Sequence, residues 1–199
     1  MVSAENKDAT KDAVNPEEVK KDENKLVKGM RELDVKNIVV NMESKNETWV
    51  SLGVPQEIEQ GLAEMSYFKP SIIQAKSIPV ITSNPGQNFG FQSLNGSGKT
   101  GAFAIPSLMS VDTSVSKIQV IILANTRELI RQIYQVMQVI SKNTQVKLML
   151  GESSLKDFTG HVMITVPGYL KNKLSGRKPI DISALKMIVY DEADELFLQ

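Results

Sequence analysis

The chain has 199 residues, 41% of them apolar, and its 23 Lys+Arg balance 23 Asp+Glu. That length suits one domain plus an appendage, with enough core to fold without staples; the absence of cysteine excludes disulfides and thiolate metal sites, and a single histidine, His161, excludes a histidine-rich metal centre. A formal net charge of zero argues neither for nor against nucleic acid, no apolar run approaches the roughly 20 residues of a membrane span, and the opening "MVSAENKDATKDAV" lacks the apolar core of a secretory signal.

Residues 1–45 read as a charged extension, with a disordered polar start and one helix. Asn15 is placed to cap that helix, Pro16 suits its first turn, and Leu26, Met30 and Leu33 give it a thin apolar stripe. Residues 35–48 are ambiguous, and from Trp49 the texture becomes that of a globular domain spanning 46–199. "PQEIEQGLAEM" and "KPSIIQAKSIPVIT" predict two helices. "QNFGFQS" predicts a short strand feeding a glycine-rich turn, and "KTGAFAIPSLMSV" a helix leaving it. The β-branched run "KIQVIILA" predicts a buried strand, followed by the helix "TRELIRQIYQVMQVIS". Strands "VKLML" and "HVMIT", the helix "PGYLKNKLSG" and the strand "ALKMIVYD" complete the alternation. Strands alternating with helices imply parallel pairing through right-handed crossovers, hence an α/β sheet covered on both faces.

"SLNGSGKT", Ser93 to Thr100, carries the strongest chemical signal. A strand enters, Gly96 and Gly98 let the backbone curl, and a helix begins at Lys99, so several N–H groups converge on one point as a phosphate cradle. Lys99 adds a charge for the terminal phosphates and Thr100 a hydroxyl for magnesium; the strict pattern has glycine where Ser93 stands. The second signal is Asp191-Glu192-Ala193-Asp194 after the apolar run "MIVY". An acid at the C-terminal end of a parallel strand can hold magnesium through water, and its neighbour can position an attacking water. A pair of acids after a strand is by itself commonly just a helix start. Combined with a phosphate loop upstream, it points to nucleoside-triphosphate hydrolysis.

"DEAD", "GSGKT", "TREL" and "FKPSIIQ", in this order of position along the family pattern, resemble the first RecA-like lobe of DEAD-box RNA helicases over about residues 46–199. The resemblance implies an α/β phosphate-loop NTPase lobe that binds ATP and Mg2+ and grips RNA by its backbone without reading bases. On the family pattern Gln74 would read the adenine edge, Phe68 would pack on the base, and Trp49 would be the upstream aromatic. Asn95, Gly96, Ser97, Gly98, Lys99 and Thr100 would hold the triphosphate. Lys99, Asp191 and Glu192 would be the catalytic set, with Thr100 and Asp191 on the metal, largely through water, and Asp194 coupling hydrolysis to other motifs. Thr126, Arg127, Pro167 and Gly168 would contact RNA. Asn125 stands where the family has proline, and Val166 where it has a threonine whose hydroxyl reaches a phosphate, with Thr165 as a candidate substitute. Gly151 in "MLGESS" is the one candidate for the double-glycine motif.

Finer features resemble the mRNA-export helicases of the nuclear pore. That implies a cytoplasmic or nuclear ATPase remodelling RNA–protein complexes with a nucleoporin and an inositol-phosphate-bound activator. The family's Ser-Ala-Thr motif and second lobe do not occur in the chain, so a gap is expected beside the strand ending at Tyr190, and slow turnover. An arginine finger is worth about 10³–10⁵ in rate. The competing expectation is a module that binds nucleotide or partners without turnover.

Overall fold

The computed structural model describes residues 36–37 and 47–197. The charged tail and the helix expected before residue 35 lie outside the described residues. In chain order the elements are β1 (Lys36–Asn37), α1 (Gln56–Glu64), α2 (Ile72–Ser83), β2 (Phe89–Gly90), α3 (Lys99–Met109), β3 (Val120–Leu123) and α4 (Arg127–Ile140). They continue with β4 (Leu148–Gly151), β5 (Val162–Thr165), α5 (Pro167–Leu174), β6 (Met187–Tyr190) and α6 (Ala193–Phe197).

Four strands form one wholly parallel sheet in the order β4-β5-β3-β6, with Val120 opposite both Val162 and Met187. Helices follow β3, β5 and β6, and a loop crosses from β4 to β5; every strand runs the same way, so all four C-terminal ends meet along one edge. β3 is central and buried along its whole length, which explains its unbroken apolar run. Its side chains alternate between faces: Val120 and Ile122 join a core with Ile105, Ile130 and Met137, whereas Ile121 and Leu123 join a second core with Met163, Leu170 and Ile180. α4 closes the first core by burying Ile130, Ile133, Met137 and Ile140, a helical stripe, and exposing its charged residues.

Two contacts set how the helices approach the site. α1 crosses α4 at Gly61, where a Cβ would lie 2.5 Å from the carbonyl oxygens of Val139 and Ile140. α2 is tied to α3 by the Ser77 hydroxyl, which donates to Ala102 O at 3.1 Å. That carbonyl lacks an ordinary helical partner because the residue four ahead is Pro106, which has no N–H.

The strand expected over residues 87–93 is shorter, and it pairs with β1 rather than with the main sheet. β6 is consequently an edge strand among the described residues, with Ile188 and Tyr190 exposed. The resemblance separates these two strands, and here they are not hydrogen-bonded to each other.

Candidate functional site

The turn between β2 and α3 has the geometry its glycines predict. Gly96 and Gly98 have φ of 75° and 93°, the left-handed region open to glycine at little cost, and α3 starts at once with Lys99. The Lys99 ammonium donates to Ser93 O at 3.0 Å and to Asn95 Oδ1 at 3.2 Å, while the Ser93 and Ser97 hydroxyls bond at 2.7 Å. Lys99 therefore points back across the mouth of its own loop.

Gln74 lies behind this loop. It is 95% buried, and its Oε1 accepts from Ser71 N–H at 2.8 Å while its Nε2 donates to Gly98 O at 3.0 Å. A Cβ on Gly98 or Gly101 would meet Nε2 at 2.7 or 2.4 Å, so both glycines make room for this amide. Gln74, expected to read the adenine edge, is thus also a brace between the start of α2 and the phosphate loop. A carboxamide has two donors and two acceptor positions, so one of each remains.

The aromatics divide. Phe68 is 71% exposed and Tyr67 is 47% exposed, in the loop that leads into α2. Trp49 requires a correction: it is 1% exposed and belongs to the core, and its indole N–H donates to Tyr67 O at 2.8 Å. An indole this large gains more from burial than from facing a ligand, provided its N–H finds an acceptor. It supports the aromatic loop from beneath instead of lining the surface.

Asp191 sits one residue past β6, and its N–H continues the ladder to Leu123 O at 2.8 Å. Burial raises its carboxyl above the usual carboxylate range; the Glu192 charge pushes the same way, and Lys99 pulls it back. Lys99 and Asp191, 92 positions apart in sequence, are therefore electrostatic neighbours. Glu192 adopts φ of 50°, a left-handed conformation uncommon for a residue with a Cβ. Its side chain lines an open cavity of 250 Å³ with Asn125, Thr126 and Glu128. Asp194 is exposed in the first turn of α6. The oxygen donors Thr100 and Asp191 suit a hard cation that keeps most of its water shell, and a cation there would relieve the Asp191–Glu192 repulsion. Among the described residues no group of three His, Cys, Asp or Glu gathers into a cage, so such an ion would have to draw its other ligands from water and phosphate.

The segments after β3 and β5 lie along the same sheet edge. The Thr126 hydroxyl caps α4 by accepting from Leu129 N–H at 3.1 Å, leaving Arg127 exposed at its first turn. Pro167 opens α5 behind Val166, and Gly168 has open space around it. Arg127, Gly151, Glu152, Val166 and Gly168 share a pocket of 260 Å³. The substitute role for Thr165 fails: it is fully buried, its hydroxyl donates to Gly151 O at 2.8 Å, and it faces the interior as alternation along a strand requires. Sequence reasoning missed Arg131 and Glu152, whose guanidinium and carboxylate pair at 2.8 Å across 21 residues. Only the helical spacing of Arg131 from Arg127 hinted at the first of them.

A glycine turn leading into a helix that begins Lys-Thr, set against an acid at the tip of a parallel strand, defines a phosphate-loop nucleotide lobe of the RecA-like kind. The DEAD/DEAH box helicase family model matches residues 71–199. The ATP-dependent RNA helicase dbp5 of Schizosaccharomyces pombe is 34% identical, over 93% of this chain and 38% of that protein. The DBP5 helicase of Debaryomyces hansenii is 36% identical over 94% of the chain and 39% of its own length. Among solved structures, a variant of S. cerevisiae Dbp5 bound to RNA and ADP–BeF3 superposes with a TM-score of 0.72 at 33% identity, covering 76% of this chain and 40% of that one. A second, bound to Nup159, a Gle1 variant, IP6 and ADP, gives 0.69 at 34% identity, over 74% of this chain and 40% of that one. The chain belongs to the DEAD/DEAH box helicase family, and it spans about two fifths of the length of these relatives.

Proposed function

We propose that the chain is the ATP-binding lobe of an ATP-dependent RNA helicase that hydrolyses ATP to ADP and phosphate and remodels RNA or RNA–protein complexes. The observation that carries this is the left-handed Gly96–Gly98 turn that opens α3 at Lys99 and Thr100, in the same lobe as an acid, Asp191, held at the tip of a parallel strand by its N–H to Leu123 O. Asn95, Gly96, Ser97, Gly98 and Lys99 would cradle the triphosphate, with the α3 N-terminus favouring its charge. Thr100 and Asp191 would hold Mg2+, which when bound neutralises phosphate charge. Glu192 would orient the attacking water and take its proton, and Asp194 would link this site to other parts of the family machinery. Phe68 would face the base, and Gln74 would offer its remaining donor and acceptor to the adenine edge while bracing Gly98. Thr126, Arg127, Pro167 and Gly168 would touch the RNA backbone.

The relatives bound to RNA, Nup159, Gle1 and IP6 support a role in mRNA export at the nuclear pore, with a nucleoporin and an inositol-phosphate-bound activator as partners. A specific observation favours the second reading, a binding module without turnover: Val166 brings no hydroxyl to the RNA pocket and Thr165 cannot replace it. Titration with fluorescent ATP and GTP analogues in Mg2+, followed by RNA-stimulated phosphate release, tests both. Tight adenine-selective binding lost in Lys99→Ala supports the ATP site. Binding with no release under any RNA supports the module, and equal affinity for GTP counts against the adenine assignment.

A further inference from the structure

Arg127 and Arg131 lie one turn apart on α4, so their side chains leave the same helix face. Arg127 lines the pocket with Gly151, Val166 and Gly168, in the RNA-contacting region proposed above. Arg131 does not line it. Its guanidinium is turned onto Glu152, with Nε 2.8 Å from Oε1 and Nη2 donating to Oε2 at 3.1 Å. Glu152 is itself a pocket residue, and its side chain is only 17% exposed against 55% for Arg131. The carboxylate is thus the fixed member of the pair and the arginine the accessible one. A guanidinium takes a carboxylate and a phosphate through the same N–H groups, so Glu152 presents to Arg131 the kind of anionic oxygen that an RNA backbone would present.

We propose that Glu152 is an internal competitor for the RNA backbone: it holds Arg131 out of the pocket and leaves Arg127 as the one arginine offered to phosphate there. This rests on the RNA-face reading of that pocket. Two effects add. The carboxylate repels an approaching phosphate, and the second arginine is already engaged. The pair is open to water on the Arg131 side, so nucleic acid competes with it and is not barred outright. The lobe therefore binds RNA weakly and with a shallow salt dependence, and affinity is tuned at position 152 without touching the phosphate loop.

The test is fluorescence anisotropy of a labelled, unstructured oligo(U) RNA with the 199-residue chain in Mg-ATP, at KCl from 25 to 200 mM. Glu152→Gln is expected to bind several-fold more tightly at low salt. With one more phosphate engaged, the slope of log affinity against log salt steepens by about 0.7, so the gain shrinks about 2.5-fold over a fourfold rise in salt. Arg131→Gln is expected to weaken the parent only slightly and to remove most of the gain in Glu152→Gln, leaving the part due to relieved repulsion. Melting curves report whether each variant keeps the fold, and Arg127→Gln reports on the face itself. Binding that needs Arg127 but ignores Glu152 overturns this proposal alone. So does an Arg131→Gln loss as large in the parent as in Glu152→Gln, or a Glu152→Gln gain that Arg131→Gln leaves undiminished. No binding by any variant at 25 mM KCl overturns the RNA-face reading, and the proposal with it.

Discussion

Replacing Gln74 by Ala removes the brace beneath the phosphate loop, and the cost follows from its contacts. Two hydrogen bonds are lost, to Ser71 N–H at 2.8 Å and Gly98 O at 3.0 Å, at a 5% exposed site that water does not readily refill. With a net worth of about 1 kcal/mol per bond and a further cost for the polar partners left unpaired, the loss is about 2–4 kcal/mol. For a chain of this size that is a fall of roughly 5–15 °C in melting temperature. Adenine discrimination should fall as well, because the same amide is proposed to read the adenine edge. A second substitution makes the argument sharper. A Cβ at Gly101 lies 2.4 Å from Gln74 Nε2, so Gly101→Ala should destabilise the parent. In the Gln74→Ala background that space is vacant, and the better helix former should stabilise by up to about 1 kcal/mol. Thermal and urea denaturation of the four proteins gives the cycle. Additive effects, or a Gln74→Ala variant that melts with the parent, would refute the bracing role.

Three further outcomes are expected. Gly61→Ala forces backbone apart at the α1–α4 crossing, where the new methyl meets two carbonyl oxygens at 2.5 Å; overpacking of about 1–3 kcal/mol outweighs the helix-propensity gain, and urea midpoints should fall. Asp191→Asn should raise the melting temperature at pH 7 while abolishing ATP turnover. The folded-state carboxyl is raised above its unfolded value, so its favourable contribution is complete below about pH 3.8 and is lost as pH rises through the raised value. The stabilisation by Asn should therefore shrink as pH falls towards 4, and an equal gain at every pH would contradict the burial argument. Thr165→Val should cost about 1 kcal/mol in urea through its bond to Gly151 O and leave RNA affinity unchanged, whereas Val166→Thr should strengthen RNA binding by anisotropy.

The elements legible in the sequence were those with a strong local period. The run around Val120–Leu123 is apolar at every position because both faces of β3 are covered, and α4 shows its stripe because only one face is. Gly96, Gly98, Lys99 and Asp191 were legible because their chemistry depends on local backbone shape and on strand ends. Trp49 and Gln74 were harder. A buried indole and an exposed one have the same local sequence, and only the fold brings Tyr67 O and Gly98 O within reach of these side chains. The short β2 was overread because alternation in "QNFGFQS" records what the strand could pair with, not whether a partner lies beside it. The Arg131–Glu152 pair was missed for the same reason, since its members sit on α4 and past β4 and meet only through the sheet.

The position of Glu192 joins the two halves of the site. Asp191 is fixed by its N–H to Leu123 O, and α6 begins at Ala193, so the chain must turn sharply within one residue. The left-handed φ of 50° is how it does so, at a cost of order 1–3 kcal/mol for a residue with a Cβ. The residue so turned lines the cavity it shares with Asn125 and Thr126 beyond the tip of β3. The same β3 tip carries Arg127 to the pocket proposed above to contact RNA. A shift of the β3–α4 segment on RNA contact would thus alter the surroundings of Glu192 directly, without movement of the phosphate loop. Glu192→Gly should relax the turn and stabilise the fold while removing the carboxylate proposed to position the attacking water, so a rise in melting temperature with a loss of phosphate release is expected. A fall in melting temperature would mean that the conformation is not strained, and that the acid's direction is set by contacts instead of by the turn.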